Sequence, residues 1–135
     1  MRCALFLSAL LAGCTSVPAA QRDITPALQG TWGGSHIGLR VGTLDTLVEF
    51  DCAEGGFVAP YLVSGDGTFE WDGTFARGTG GPVRVGVEPP EVHAIYSGAI
   101  GGGGEMTLRV RLDDGQTLGP FTLERFKDPQ LTRCL

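Results

Sequence analysis

Apolar and polar residues alternate with period two in several short runs of this chain, and that pattern narrows its possible folds more than any other feature. In Thr68-Phe69-Glu70-Trp71-Asp72-Gly73-Thr74-Phe75 the aromatics share one parity, with Thr, Glu and Asp on the other. Met106 to Leu112 repeats the pattern with Arg109 and Arg111 outside. Leu44, Thr46, Val48 and Phe50 form a third row opposed by Leu47, Glu49 and Asp51. No window beyond residue 20 holds a 3.6-residue period. Glycine and proline number 22 and 8 in 135 residues, which excludes a long-helix protein. An apolar content of 42% excludes disorder, and a net charge of −5 excludes a phosphate-tracking basic face and hence a nucleic-acid partner.

Turn signals at Gly42-Thr43, Gly65-Asp66-Gly67, Gly101 to Gly104 and Asp113-Asp114-Gly115 divide the chain. They predict eight strands near 30–41, 44–51, 56–63, 68–77, 82–87, 91–100, 105–112 and 116–126. Tight connections between short antiparallel strands predict an all-β fold, an eight-stranded antiparallel up-and-down β-barrel, because closure removes both sheet edges. An immunoglobulin-like β-sandwich is the alternative, and it needs longer crossovers.

The amino terminus reads as an address. Arg2 precedes the uncharged apolar run Ala4 to Ala12, which is too short to span a bilayer and suits a secretory signal. Leu11-Ala12-Gly13-Cys14 resembles the bacterial lipobox. That resemblance implies cleavage after residue 13, a diacylglycerol on the Cys14 thiol, and a bacterial envelope protein held to a membrane by lipid. Thr15 in place of an Asp implies the outer membrane, facing the periplasm. The rival is an ordinary signal cut near Ala19-Ala20. Loss of Arg2 would leave the mature chain near −6. Residues 14–27, with Pro18 and Pro26, read as an extended lipidated tether, and residues 28–135 as the domain. Cys3 leaves with the signal and Cys14 carries lipid, so Cys52 and Cys134 remain to pair as a disulfide in an oxidising compartment.

Gly30-Thr31-Trp32 opens the meander and Arg125 closes it. These residues resemble the calycin pattern of lipocalins and avidins, which implies a tryptophan plugging one barrel end with a late arginine stacked on it. Only Gly30, Trp32 and Arg125 match, so architecture is carried over and no ligand. With 30–41 as one strand, Cys52 and the tail beyond Phe126 lie at the Trp32 end, where the tether also enters. The mouth then lies opposite, among the turns at 42–43, 64–67, 87–91 and 113–115.

Chemistry is sparse. His36 shares parity with Trp32, whereas Ile37, Leu39 and Val41 take the other; a bulge at Gly33-Gly34 would put His36 outside, and its absence would put it in the lumen. His36, Arg84 and Tyr96 are the candidate ligand contacts. His93 has no partner at zinc spacing, so no metal and no cofactor is implied. Glu49 with Asp51, and Glu70 with Asp72, read as solvated outer-face carboxylates. Ser35, Ser64 and Ser97 lack a G-x-S-x-G setting, and the Gly101–Gly104 run lacks the helix a phosphate loop needs. No catalytic constellation emerges, so the chain reads as a non-enzyme. Two functions remain: a barrel binding a small apolar ligand, or a solid barrel acting through its surface as a structural or assembly lipoprotein or an inhibitor of a secreted enzyme.

Overall fold

A computed structural model describes residue 13, residues 20–78, residue 86 and residues 90–134. Cys14, Arg84 and most of the strand expected at 82–87 lie outside the described residues. Among the described residues, ten strands and one short helix run in order: β1 Arg22–Asp23, α1 Thr25–Leu28, β2 Gly30–Gly34, β3 Ile37–Val41, β4 Asp45–Phe50, β5 Ala53–Val58, β6 Leu62–Val63, β7 Thr68–Arg77, β8 Val92–Ile100, β9 Glu105–Leu112 and β10 Thr117–Arg125. Eight of them close an antiparallel barrel in the order β10-β2-β3-β4-β5-β7-β8-β9, and β1 pairs with β6 as a separate ribbon.

Strand β9 shows why the sequence folds this way. Met106, Leu108, Val110 and Leu112 point inward and are buried, while Glu105, Thr107, Arg109 and Arg111 face solvent. Each such aliphatic side chain contributes about 1.5–3 kcal/mol on leaving water, and a one-residue slip would expose the whole row. Strand β7 does the same with Phe69, Trp71 and Phe75. In β4 the inward row is Thr46, Val48 and Phe50; Leu44, expected to lead it, lies before the strand and is exposed.

The eight barrel strands are not the eight expected. The run 30–41 is a hairpin, with Gly34 opposite Ile37 and Trp32 opposite Leu39. Ser35 and His36 form its two-residue turn, with His36 at φ 72°. A two-residue turn changes parity as a bulge would, so Trp32 and Ile37 are both interior and His36 is outside. β7 pairs directly with β8, from Thr68↔Ala99 to Phe75↔Val92, so the sheet closes without a strand from 82–87. Splitting the first strand also reverses the polarity of β4, β5 and β7. Cys52 turns β4 into β5 at the end opposite Trp32.

The two ends therefore differ. At one, the plugged end, α1 caps the opening: Leu28 is buried, and its carbonyl accepts the Trp32 Nε1–H at 2.9 Å. Pro26 sits in the first turn of α1, where its missing N–H costs nothing. Arg22 and Asp23 pair with Val63 and Leu62, so the segment expected to be an extended tether as far as residue 27 is folded from residue 22. At the other, the far end, lie the Ser35-His36 and Asp51-Cys52 turns and the 113–116 turn.

The carboxyl-terminal segment joins the ends. Phe126, at φ 61°, turns the chain back, and residues 127–134 run as a strap outside β2, parallel to it at Ser35↔Gln130. The His36 amide donates to the Gln130 carbonyl at 2.8 Å, and the Gln130 amide to the Gly34 carbonyl at 3.0 Å. Gly33 and Gly38, paired and outward, floor this path. A Cβ on Gly33 would stand 2.2 Å from the Lys127 carbonyl oxygen, and one on Gly38 2.7 Å from Pro129. The strap ends in the Cys52–Cys134 disulfide, Cα to Cα 5.2 Å, closing 82 residues of sequence separation. The bond expected from the cysteine count is present; it forms at the far end, reached along the wall.

Candidate functional site

A ligand-binding calycin needs an open lumen, and here side chains occupy the axis. Tyr96, fully buried on β8, lies along the inner face of the neighbouring strands β7 and β5. A Cβ on Gly55 would come 2.2 Å from its hydroxyl oxygen, and one on Gly73 2.8 Å from its ring. Its hydroxyl donates to the Thr74 carbonyl at 2.6 Å, and burial raises its pKa well above the usual phenol range. Tyr96 is thus a core residue, with neither surface nor free hydroxyl to offer a ligand. Phe57 meets Tyr96, Trp71 and Tyr61 at centroid distances of 5.1, 4.9 and 5.6 Å. The Tyr61 hydroxyl accepts from Thr46 and donates to the Gly42 carbonyl, and burial raises its pKa also. Trp71 donates to the Leu62 carbonyl at 2.9 Å.

At the plugged end Arg125 stands opposite Trp32 in the β10–β2 pairing, its guanidinium 5.8 Å from the indole centroid and 5.0 Å from the Phe126 ring. It donates to the carbonyls of Ala27 and Gln29, fixing α1 to the barrel, and its buried Nε has no partner. A cleft of about 420 Å³ opens beside it, between Arg22, Val63 and the turns at Gly65-Asp66-Gly67 and Gly101-Gly102.

Two adjoining clefts mark the far end. One, of about 370 Å³, is lined by Phe50, Phe75, Leu118 and Phe121 and bordered by His36, Asp51 and Cys52. The other, of about 330 Å³, lies between Val92, Leu112, Pro90, Asp113 and Asp114. Phe75 and Arg77 belong to both, with the guanidinium 5.5 Å from the ring centroid. Phe50 holds Phe75 edge-on at 5.3 Å and Phe121 at 5.9 Å, so the three phenyl rings form an apolar floor. His36 is on the rim, outside the lumen. Its Nδ1 meets Asp51 Oδ2 at 2.5 Å, and the other Asp51 oxygen accepts the Thr132 amide at 2.6 Å. The histidine thereby ties the hairpin turn to the turn that carries Cys52.

His93, close by on the outer wall, bridges three elements. Its Nε2 meets Asp72 of β7 at 3.0 Å and its Nδ1 meets Asp113 at 3.1 Å. A carboxylate at each nitrogen favours the doubly protonated ring, and the Asp113 hydrogen bond, then the Asp72 one, raise its pKa. Spacing alone gave no sign of this clamp, because the partners lie 20 and 21 residues away and meet only through strand register. Among the described residues, no group of three or more His, Cys, Asp or Glu side chains is arranged to hold a metal ion.

No family model matches the chain, and no curated protein or solved structure shows significant similarity to it.

Proposed function

We propose that this protein is a lipid-anchored barrel of the bacterial envelope that acts through its surface, presenting its far end to a protein partner. The filled interior carries this reading. With Tyr96 packed over β7 and β5, Phe50 of β4 meeting Phe121 of β10 three strands away, and α1 capping one opening, apolar recognition is left to the outside. The far end offers what a protein interface uses: a half-buried Phe121 beside the cleft, an arginine lying on a ring, and a rim of charged groups. The lipobox Leu11-Ala12-Gly13-Cys14 supports attachment by lipid, and Thr15 supports the outer membrane facing the periplasm. The tether enters at the plugged end, which directs the Phe50–Phe75–Phe121 floor away from the bilayer.

A second reading, binding of a small apolar molecule, is favoured by that phenyl floor alone, and it relocates the ligand from lumen to rim. Native mass spectrometry of protein extracted from envelopes in mild detergent separates the two. The surface-acting reading expects the mass of the lipidated chain with no retained small molecule. It also expects a photo-crosslinker at position 77 to capture one defined protein, with little capture from position 109 on the outer face of β9. A stoichiometric small ligand lost on Phe121→Asp would replace the first reading with the second.

A further inference from the structure

Among the described residues, five large apolar side chains stand exposed, and the three most exposed lie at the plugged end. Leu44 is 79%, Phe126 76% and Val58 67% exposed, against 42% for Val92 at the far end and 40% for Leu47 on the wall. Phe126 leaves β10 and lies over Gly30; Gly30 pairs with Val41, which leads into the turn carrying Leu44. The Ala59 amide donates to the Leu44 carbonyl, and Val58 pairs with Asp45, so exposed Pro60 continues the arc. The arc spans five neighbouring strands from β10 to β5 around one end of the barrel.

Three exposed apolar side chains concentrated at one end need an occupant, and the path of the chain supplies one. β1 pairs with β6 at the plugged end, so Ala20 enters the fold there. Ala20 is six residue steps beyond Cys14, and an extended chain spans at most about 3.3–3.6 Å per residue, or roughly 20 Å in all. A lipid on Cys14 holds the plugged end within that distance of the headgroups. We infer that Leu44, Val58, Pro60 and Phe126 form a membrane-contact rim that dips into the interfacial layer of the bilayer holding the anchor. This rests on the lipid-anchor reading above. Acidic Asp23, Asp45, Asp66, Glu105 and Glu124 share this end with Arg22, Arg125 and Lys127, so the contact is apolar and needs no anionic lipid.

The test uses the full lipidated chain reconstituted in phosphatidylcholine vesicles carrying brominated acyl chains. Leu44→Trp, Val58→Trp and Phe126→Trp are compared with Val92→Trp, with the emission of Trp32 and Trp71 in the unsubstituted protein subtracted. All four positions are exposed, so the fold tolerates the changes. At least twofold quenching at 44, 58 and 126, with none at 92 and no gain on adding phosphatidylglycerol, supports the rim. In a preparation whose amino-terminal peptide carries the diacylglyceryl mass, quenching at 44, 58 and 126 no greater than at 92 overturns the rim and leaves the anchor standing. An amino-terminal peptide without lipid overturns both.

Discussion

Tyr96 is one of the two largest fully buried side chains, so its removal is the most informative perturbation of a packed interior. Tyr96→Phe keeps the ring and deletes the hydroxyl bonded at 2.6 Å to the Thr74 carbonyl, a loss of about 1 kcal/mol. Tyr96→Ala removes a fully buried ring in contact with Phe57, and its neighbours, fixed in strands β5 and β7, collapse only partly into the space. Large-to-small changes of buried aromatics cost about 3–5 kcal/mol. For a domain of this size that lowers Tm by roughly 15–25 °C, within the stability of an ordinary domain. The void is apolar on most sides, so a small aromatic should enter it as one enters engineered cavities. Urea denaturation of the non-reduced protein gives the first two magnitudes, and thermal melts with and without toluene give the last. At about ten times its dissociation constant, toluene should restore about 1.4 kcal/mol to Tyr96→Ala and nothing to the unsubstituted protein. If the unsubstituted protein is stabilised as well, or if Tyr96→Ala costs under about 1.5 kcal/mol, the lumen was never full. The surface-acting reading would then lose its support.

Three further outcomes concern the wall and the strap. Replacing Cys52 and Cys134 with Ser releases a crosslink spanning 82 residues; the chain-entropy model sets the loss at about 4.5 kcal/mol, and equal denaturation midpoints with and without reductant would refute it. Gly38→Ala should lift the strap, because its Cβ meets Pro129 at 2.7 Å; faster exchange of the His36 amide is the readout, and an unchanged rate removes the claim that the strap rests on this glycine. The His93 clamp raises the folded-state pKa above the ordinary value of 6.5, so its stabilisation is complete below about pH 6.5 and is lost as pH rises through the raised folded value. An NMR titration of the His93 ring should show this midpoint above the ordinary one, falling in Asp72→Asn and Asp113→Asn; a midpoint at or below 6.5 rejects the clamp.

The alternation of β7 and β9 was legible because each strand has one face in the core and one in water, and the chain writes that contrast with period two. The hairpin at Ser35-His36 was not, since the turn carries neither Gly, Asn, Asp nor Pro, while the glycines beside it draw attention to a bulge. Its trace was the parity change between Gly34 and Ile37, which a bulge and a two-residue turn produce alike. The barrel order forced a choice once β10 had to meet β2 and β7 had to meet β8 directly. The disulfide emerged from counting cysteines, but its location depended on strand polarity and so inherited the missed turn. The cleft at the far end is assembled from Phe50, Phe75 and Phe121, residues far apart in sequence that read individually as interior. Pairs such as His93 with Asp72 and Asp113 exist only in register, and a single sequence does not encode register at a distance.

The seam between β10 and β2 sets an order on assembly. Only three positions pair across it, Leu123↔Gly34, Glu124↔Gly33 and Arg125↔Trp32, and they join the first barrel strand to the last. Nothing can close until β10 has been made, so the contact of greatest sequence separation in the barrel is also the barrel's most sparsely paired. Cys134 comes after every strand in the chain, so its bond to Cys52 cannot form before β10 has been made. Until then Cys52 waits as a free thiol through the arrival of six more strands, β5 to β10, open to the wrong partner. Once made, the bond works as a latch: the seam parts only after the strap has been lifted, and a barrel that closed late becomes one that reopens slowly.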